Sequence, residues 1–300
     1  MMIPRRIVHM FFRIFSLWVV SSFLLLAAPL APFEKNETVV LLGDAFFERD
    51  YRLGHLETAF TQATAGKQLR VRNLGWSGDT PRCESRSYFG PPAEGFDRLR
   101  KQLAEIKPTT VVCCYGAVDA FQGESGVAPF IKSYEALLEM VKTSCGAKVV
   151  LMTPPAVSRD VRRFPSLASQ AIERARYAQA IKLLAEKNSL GFADLFSLMK
   201  DREWQTINGV TFADEEYAVI APLFVKSLGL SLPSGARHPS LRETIVAKNH
   251  LFFQRWRPQN EIYLFGSRKH EQGRNGAEIP QFDPLIAEKE QLIFGTFSNN

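Results

Sequence analysis

Three short polar turns carry the residues of this sequence that are best suited to chemistry. Asp44 follows the apolar run TVVLLG, Asp79 lies in the turn NLGWSGDT (73–80), and Asp119 closes the turn GAVD (116–119). A carboxylate in such a turn can bind the hydroxyl or amide groups of a ligand, and it can also cap the next helix or tie the turn together. Both roles are open for the three aspartates.

The first turn places a residue where a catalytic nucleophile would stand, but that residue has no nucleophilic side chain. In VVLLGDAFFER (39–49), Ala45 follows Gly-Asp directly after an apolar strand-like run, where a hydroxyl would be placed for attack. Ser77 and Thr80 carry hydroxyls in the second turn, but none of the histidines belongs to a motif that would bring it near them.

Binding is therefore a better prediction than attack for these turns. The backbone N–H groups of Ala45 and Gly75 do not depend on side-chain type, and Trp76 supplies an aromatic edge. Together with the aspartates, such groups can hold a ligand that has carbonyl or hydroxyl groups. The predicted binding residues are Asp44, Ala45, Gly75, Trp76, Ser77, Asp79 and Asp119.

Apolar runs of strand length alternate with longer segments of helical period along the chain. Strands are predicted over 38–43, 69–75, 109–116, 147–153 and 191–196, with helices over 96–106, 130–141, 169–187 and 214–229. This alternation predicts a parallel sheet wrapped by helices. The three polar turns then meet at the carboxyl edge of that sheet, where binding sites of such folds lie.

Composition and charge exclude several classes of protein. A chain of 300 residues that is 46% hydrophobic can bury a full core. Arg5, Arg6 and Arg13 supply three of the six net positive charges, and the remaining three are too few for a nucleic-acid-binding surface. No metal-ligand spacing is present and no cofactor is predicted. The four cysteines are expected to be buried thiols, although a bridge between Cys83 and Cys145 stays open.

Three regions are predicted along the chain. Residues 1–33 hold a basic start and an uncharged apolar run, which indicates export through a signal peptide or attachment to a membrane by an N-terminal anchor. Residues 34–232 form the α/β domain. Residues 233–300 form an extension with a helix over 241–256 and then irregular, aromatic-rich chain, which packs on the domain or on an envelope protein.

Over residues 38–230 the turns resemble the sequence blocks of the SGNH, or GDSL-type, hydrolase superfamily. Its Gly-Asp-Ser block stands here as Gly43-Asp44-Ala45, and its second block is kept as NLGWSGDT. The extension is similar to that of some long, exported bacterial members. This resemblance implies a flavodoxin-like three-layer α/β/α sandwich with a mostly parallel sheet, and it implies esterase or acyl hydrolase chemistry.

The same resemblance identifies the catalytic positions, and only Gly75 keeps the family residue. Ala45 stands for the serine nucleophile and Val118 for the oxyanion asparagine, while Asn208 and Thr211 stand for the aspartate and the histidine. The resemblance thus implies the fold of the family, but the residues that hydrolyse esters in that family are replaced here.

Three hypotheses follow. The first is an exported domain, inactive as an esterase, that binds acylated carbohydrate or another small ester-like ligand or acts as a scaffold. The second is an active hydrolase with non-standard catalytic residues. The third is a structural domain that docks on an envelope protein.

Overall fold

The computed structural model describes residues 30, 33–88, 90–157, 169–233, 239–271, 273 and 275–297. The predicted signal or anchor segment, residues 1–33, lies almost entirely outside these ranges. Within them, no helix combines the length and the apolarity that crossing a membrane requires.

Five parallel strands form one central sheet. They are β1 (Thr38–Gly43), β2 (Arg70–Asn73), β3 (Thr110–Cys114), β4 (Lys148–Met152) and β5 (Gly191–Ala193), in the spatial order β2-β1-β3-β4-β5. This is the flavodoxin-like order, in which the direction of winding reverses between β1 and β3. The parallel sheet predicted from the sequence is confirmed.

Helices cover both faces of the sheet. The first seven are α1 (Ala45–Leu53), α2 (His55–Ala63), α3 (Ala93–Ile106), α4 (Val127–Cys145), α5 (Gln170–Asn188), α6 (Leu195–Met199) and α7 (Asp214–Ser227). Helices α1, α2, α6 and α7 share one hydrophobic core with the sheet, and α3, α4 and α5 share the other. The predicted three-layer α/β/α sandwich is therefore confirmed.

Alternating residues of β1 point into the two cores. Val39 and Leu41 belong to the first, and Val40 and Leu42 to the second. Because both faces of the strand are buried, it reads as a continuous apolar run rather than an alternating one.

The last strand is shorter than predicted. β5 ends at Ala193, because Asp194 begins helix α6 by accepting a hydrogen bond from the Ser197 N–H at 3.0 Å. An aspartate followed by a helical turn favours an N-cap over a continued strand.

The described part of the extension contains three more α-helices: α8 (Pro239–Trp256), α9 (Glu261–Leu264) and α10 (Phe282–Gly295). The prediction of irregular chain was wrong for residues 282–295. Ile286 and Ile293 of α10 are buried, and Ile293 shares a small core with Leu241 and Ile245 of α8. A partner helix thus stabilises a segment whose own apolar pattern is weak.

Buried polar contacts join the extension to the α/β domain. Lys248 of α8 pairs with Glu57 of α2, and its Nζ also donates to the Val71 carbonyl of β2 at 3.0 Å. Asn249 Nδ2 donates to the same Glu57 carboxylate at 2.8 Å. Further pairs join Arg72 to Glu290, Arg98 to Glu261, Arg255 to Glu105 and Arg257 to Glu48.

Candidate functional site

A small cavity of about 90 Å³ opens at the carboxyl ends of β1 and β3, where the winding of the sheet reverses. Three of the four substituted catalytic positions line it, namely Ala45, Val118 and Thr211. The remaining lining residues are Asp44, Phe46, Ala117, Phe121, Pro155, Arg174, Val210, Phe212 and Tyr217. The walls are therefore mainly apolar, with one carboxylate and one guanidinium.

Asp44 and Ala45 form the start of helix α1 at this cavity. The Asp44 Oδ1 accepts a hydrogen bond from the Phe46 N–H at 3.0 Å, which is an N-cap contact. Burial raises the pKa of Asp44 to about 6, and Arg174 opposes that change through its positive charge. Asp44 thus combines the two predicted roles, since it caps a helix and also faces the cavity.

Asn208 and Thr211 lie in the loop before α7, where Asn208 holds the loop together and Thr211 lines the cavity. Asn208 is exposed, is absent from the cavity lining, and accepts hydrogen bonds on Oδ1 from the Val210 N–H at 3.1 Å and the Thr211 N–H at 2.8 Å. This contact fixes the loop that carries Thr211 to the cavity wall.

The second block holds its own turn together rather than lining the cavity. Asn73 Nδ2 donates to the Phe47 carbonyl at 2.6 Å, and Asn73 Oδ1 accepts from the Gly75 N–H at 2.9 Å. A Cβ at Gly75 would lie 2.3 Å from the Glu48 nitrogen, so only glycine fits against α1. In the structure the Gly75 N–H donates to Asn73 Oδ1, so the role of that amide as a ligand donor stays a prediction.

Trp76, Ser77 and Asp79 also lie away from the cavity lining. The Arg257 guanidinium of the extension lies over the Trp76 ring at 3.6 Å, and the Ser77 hydroxyl donates to Glu48. Asp79 is fully buried in an ion pair with Arg86 at 2.7 Å. These three predicted binding residues therefore make contacts within the protein, and the extension covers the Trp76 side of the block.

Tyr115 reinforces the Asp79 pair. Its hydroxyl donates to Asp79 Oδ2 at 3.0 Å, and Arg86 Nη2 donates to the Leu74 carbonyl at 2.8 Å. The network joins the second block to the end of β3.

Asp119 is buried just behind the cavity, in the turn that carries Val118. Its Oδ2 has no hydrogen-bond partner among the described residues, and burial raises its pKa to about 7. It is outside the cavity lining, so any contact with a ligand would require movement of the turn.

Arg174 is the functional residue that sequence reasoning missed. It lies on α5, is 1% exposed, and lines the same cavity as Ala45 and Val118. Its position three and four residues before Tyr177 and Ala178 places it on the buried face of that helix, which is the signal that could have revealed it.

In the described ranges, no group of three or more His, Cys, Asp and Glu residues is arranged to hold a metal ion. The four cysteines are all free thiols, so the bridge left open between Cys83 and Cys145 is not formed.

The family model described as GDSL-like Lipase/Acylhydrolase matches residues 41–211, more than half of the chain. The chain belongs to this family. No curated protein matches the sequence.

Solved structures of enzymes share this GDSL-like fold. A catalytic mutant of Axe2, an acetylxylan esterase from Geobacillus stearothermophilus, is 16% identical with a TM-score of 0.51, over 69% of this chain and 100% of that one. A gut microbial diltiazem-metabolizing enzyme is 17% identical with a TM-score of 0.50, over 68% of this chain. The match spans 49% of that enzyme's length. At these identities the likeness concerns the fold.

The buried carboxyls of this GDSL-like domain predict an unusual pH dependence. Burial raises the pKa of Asp44 from 3.8 to about 6, and the pKa values of Asp50 and Asp119 to about 7. Between the unfolded and folded pKa values the folded state binds more protons, so the free energy of unfolding should increase as the pH falls from 8 to 5. For Asp44 alone, the increase from pH 8 to pH 5 is about 1.4 kcal/mol, which corresponds to the one pH unit between its folded pKa of about 6 and pH 5. His55, whose pKa burial lowers, opposes this trend below pH 6.5.

Urea unfolding at pH 8, 7, 6 and 5 measures the trend. Asp119→Asn removes one titrating group at constant size, so it should stabilise the protein at pH 8 and reduce the slope. Stability that decreases steadily from pH 8 to pH 5 in the unmodified chain would contradict the prediction.

Proposed function

We propose that this GDSL-like domain binds a small acyl-bearing ligand and does not hydrolyse esters. The observation that carries the proposal is the side-chain content of the cavity at the carboxyl edge of the sheet. Ala45 and Thr211 line it where the family resemblance expects the serine and the histidine, and among the residues that the structure describes the lining includes no Ser, Cys or His.

The replacement of the serine and the histidine is expected to lower the rate of ester hydrolysis by several orders of magnitude. Acyl transfer by this route needs a serine oxygen that a histidine deprotonates, together with donors aimed at the oxyanion. Removal of triad members lowers turnover by about 10⁴ to 10⁶, and loss of one oxyanion donor costs about 10² to 10³. Ala45 has no atom that can attack, and Thr211 cannot accept a proton near neutral pH.

Replacement by other residues has little support. Ser77 is the best hydroxyl of the second block, but it donates to Glu48 and lies outside the cavity lining. The Tyr217 hydroxyl donates to the Phe46 carbonyl at 3.0 Å, and its pKa is raised well above the usual value by burial. Ser77 is therefore outside the cavity, and the Tyr217 hydroxyl stays protonated near neutral pH.

The cavity suits a short acyl group. Its volume is about 90 Å³, and Phe46, Val210 and Phe212 supply apolar wall. Acetylated carbohydrate is a ligand class in keeping with the acetylxylan esterase of similar fold, with the acetyl group inside the cavity and the sugar outside.

The same proposal includes an exported location. The basic start and the uncharged run over residues 14–33 support a signal peptide or a membrane anchor. The extension could then serve a second purpose besides covering the domain, as the face that meets an envelope protein.

Release of p-nitrophenol from p-nitrophenyl acetate and butyrate tests the proposal. The unmodified chain should match an unrelated protein at equal concentration, and Ala45→Ser alone should stay inactive because no histidine activates the serine. Two variants locate any turnover that is observed: Ser77→Ala removes the hydroxyl of the second block, and Ala45→Phe fills the cavity. Turnover that either substitution abolishes would refute the non-hydrolytic proposal and favour the active-hydrolase hypothesis.

A further inference from the structure

Arg174 has a buried guanidinium group, and two of its three nitrogen atoms donate no hydrogen bond to a described residue. Nη1 donates to the Pro155 carbonyl at 2.9 Å. Nε and Nη2 are covered and have no acceptor in the part of the chain that the structure describes. The guanidinium therefore keeps two donors unpaired although its side chain is only 1% exposed.

A buried charge of this kind is costly unless something compensates it. Burial lowers the pKa of Arg174 to about 10, so the side chain is still a cation at neutral pH. Asp44 is the carboxylate that acts on it electrostatically, but between these two described residues no ion pair is formed. The positive charge in the cavity wall is only partly balanced.

The two unpaired donors lie on the same edge of the guanidinium. Nε–H and Nη2–H point in parallel, which is the arrangement that engages both oxygens of a carboxylate. Because both atoms are covered, a ligand reaches them only when the Arg174 side chain turns toward the cavity that it lines. The N-terminus of α1, a helix of nine residues that begins at Ala45, adds its positive dipole end at the same cavity. An anionic group inside the cavity would be favoured by both.

We propose that the cavity binds a short aliphatic carboxylate, with the ligand's carboxylate directed to Arg174 and its alkyl part against Phe46 and Phe212. This inference rests on the proposed non-hydrolytic function, because it names the free acid rather than the ester as the acyl ligand.

The anion preference should depend on the ionisation of Asp44. Burial raises the pKa of Asp44 to about 6, so lowering the pH through that value removes the negative charge nearest to Arg174. An aliphatic acid with a carboxyl pKa near that of glutamate, about 4.3, stays ionised there. The groups that interact with Asp44 from the surrounding elements are Arg174, Asp79, Cys114, Asp119, Tyr134 and Tyr217.

Calorimetric titration with acetate, propionate and butyrate, each against its amide, tests the proposal on the full chain. At pH 6 each carboxylate should bind at least about ten-fold tighter than its amide, because a charge-assisted pair replaces a neutral one. Sodium chloride at matched ionic strength is the control for charge alone. Equal affinity for acid and amide would overturn the inference, and so would the absence of binding.

Two substitutions assign the effect to this cavity. Arg174→Gln should remove the preference for the carboxylate over the amide. Because a buried change of this kind can impair folding, Ala45→Asp provides a second test, since an acid in the first turn of α1 is compatible with the helix and places a negative charge in the cavity. It should weaken butyrate binding about ten-fold or more, whereas the neutral Ala45→Asn should not. Unchanged affinity in Ala45→Asp would overturn the assignment.

Ester hydrolysis measured on the same samples separates the two proposals. Absence of turnover together with acid and amide of equal affinity leaves the non-hydrolytic function standing and removes the carboxylate inference. Turnover that Ala45→Phe abolishes removes the proposed function itself.

Discussion

Lys248→Met is expected to lower the free energy of unfolding by about 3 to 5 kcal/mol, the usual effect of removing one partner from a buried ion pair. Lys248 and Glu57 have side chains that are 1% and 4% exposed, so solvent cannot take over the role of the lost ammonium. The variant also loses the hydrogen bond from Nζ to the Val71 carbonyl. What is left is a buried carboxylate with Asn249 as a neutral donor.

Urea denaturation followed by circular dichroism measures this effect. Lys142→Met is the matched control, because Lys142 pairs with Glu139 at 4.0 Å on the surface, where the two side chains are 79% and 66% exposed. Pairs of that kind contribute about 0 to 1 kcal/mol. The double variant Lys248→Met/Glu57→Leu should be more stable than Lys248→Met, since it removes the uncompensated charge.

If Lys248→Met and Lys142→Met lost the same small amount of stability, the buried pair would not join the extension to the domain in solution. The expected large difference would instead mean that α8 belongs to the folded unit of the α/β domain. Residues 34–232 and 233–300 would then unfold together.

The sheet could be predicted because its physical signal is local. Strands that are buried on both faces give apolar runs such as TVVLLG and TTVVCC, and the helices between them have their own period. The order of such elements along the chain is enough to indicate parallel pairing. The winding order also determined that the turns after β1 and β3 meet, and they do so at the cavity.

Local sequence patterns could not predict helix α10 or the position of Arg174 at the cavity. Helix α10 is stabilised by burial of Ile286 and Ile293, and its partner α8 begins at Pro239, well before α10 begins at Phe282. Arg174 becomes meaningful only when the packing of α5 against the cavity is known. In both cases the deciding contact is between segments distant in sequence.

The second block was interpreted as part of a binding site, but its contacts are structural. Gly75 fits α1 where a Cβ would not, Asn73 bridges β2 to α1, and Asp79 neutralises buried Arg86. The block can thus be retained for packing whether or not the domain is catalytic. This explains how NLGWSGDT can be intact while Ala45 stands in the position of the nucleophile.

Restoring four side chains together should produce esterase activity in this chain. The variant is Ala45→Ser, Val118→Asn, Asn208→Asp and Thr211→His. Three of these positions, those of the nucleophile, the oxyanion donor and the base, already line one cavity. Aspartate at 208 keeps the oxygen that accepts from the Thr211 N–H at 2.8 Å, and Arg174 adds positive charge that favours an oxyanion.

The expected activity is modest, because the reacting groups must be placed accurately relative to one another. A misplacement of about 1 Å between reacting groups can cost about 10²-fold, and nothing in this chain has kept the groups in catalytic register. Val118→Asn carries the main folding risk, since Val118 is half-buried and an amide without a partner there costs about 1 to 3 kcal/mol. Circular dichroism and a melting curve should precede any activity measurement.

The measurement is release of p-nitrophenol from p-nitrophenyl acetate, with the triple variant that keeps Ala45 as the control. The quadruple variant should exceed that control by at least about ten-fold, because the two proteins differ only in the attacking oxygen. A bell-shaped or rising pH profile with a midpoint near the pKa of histidine, about 6.5, would identify Thr211→His as the source of the base. A folded quadruple variant that is no faster than the triple variant would mean that Thr211 does not occupy the position of the base. The loop from Asn208 to Phe212 would then have a different register from that of active relatives, and the non-hydrolytic function would follow from the backbone as well as from the lost side chains.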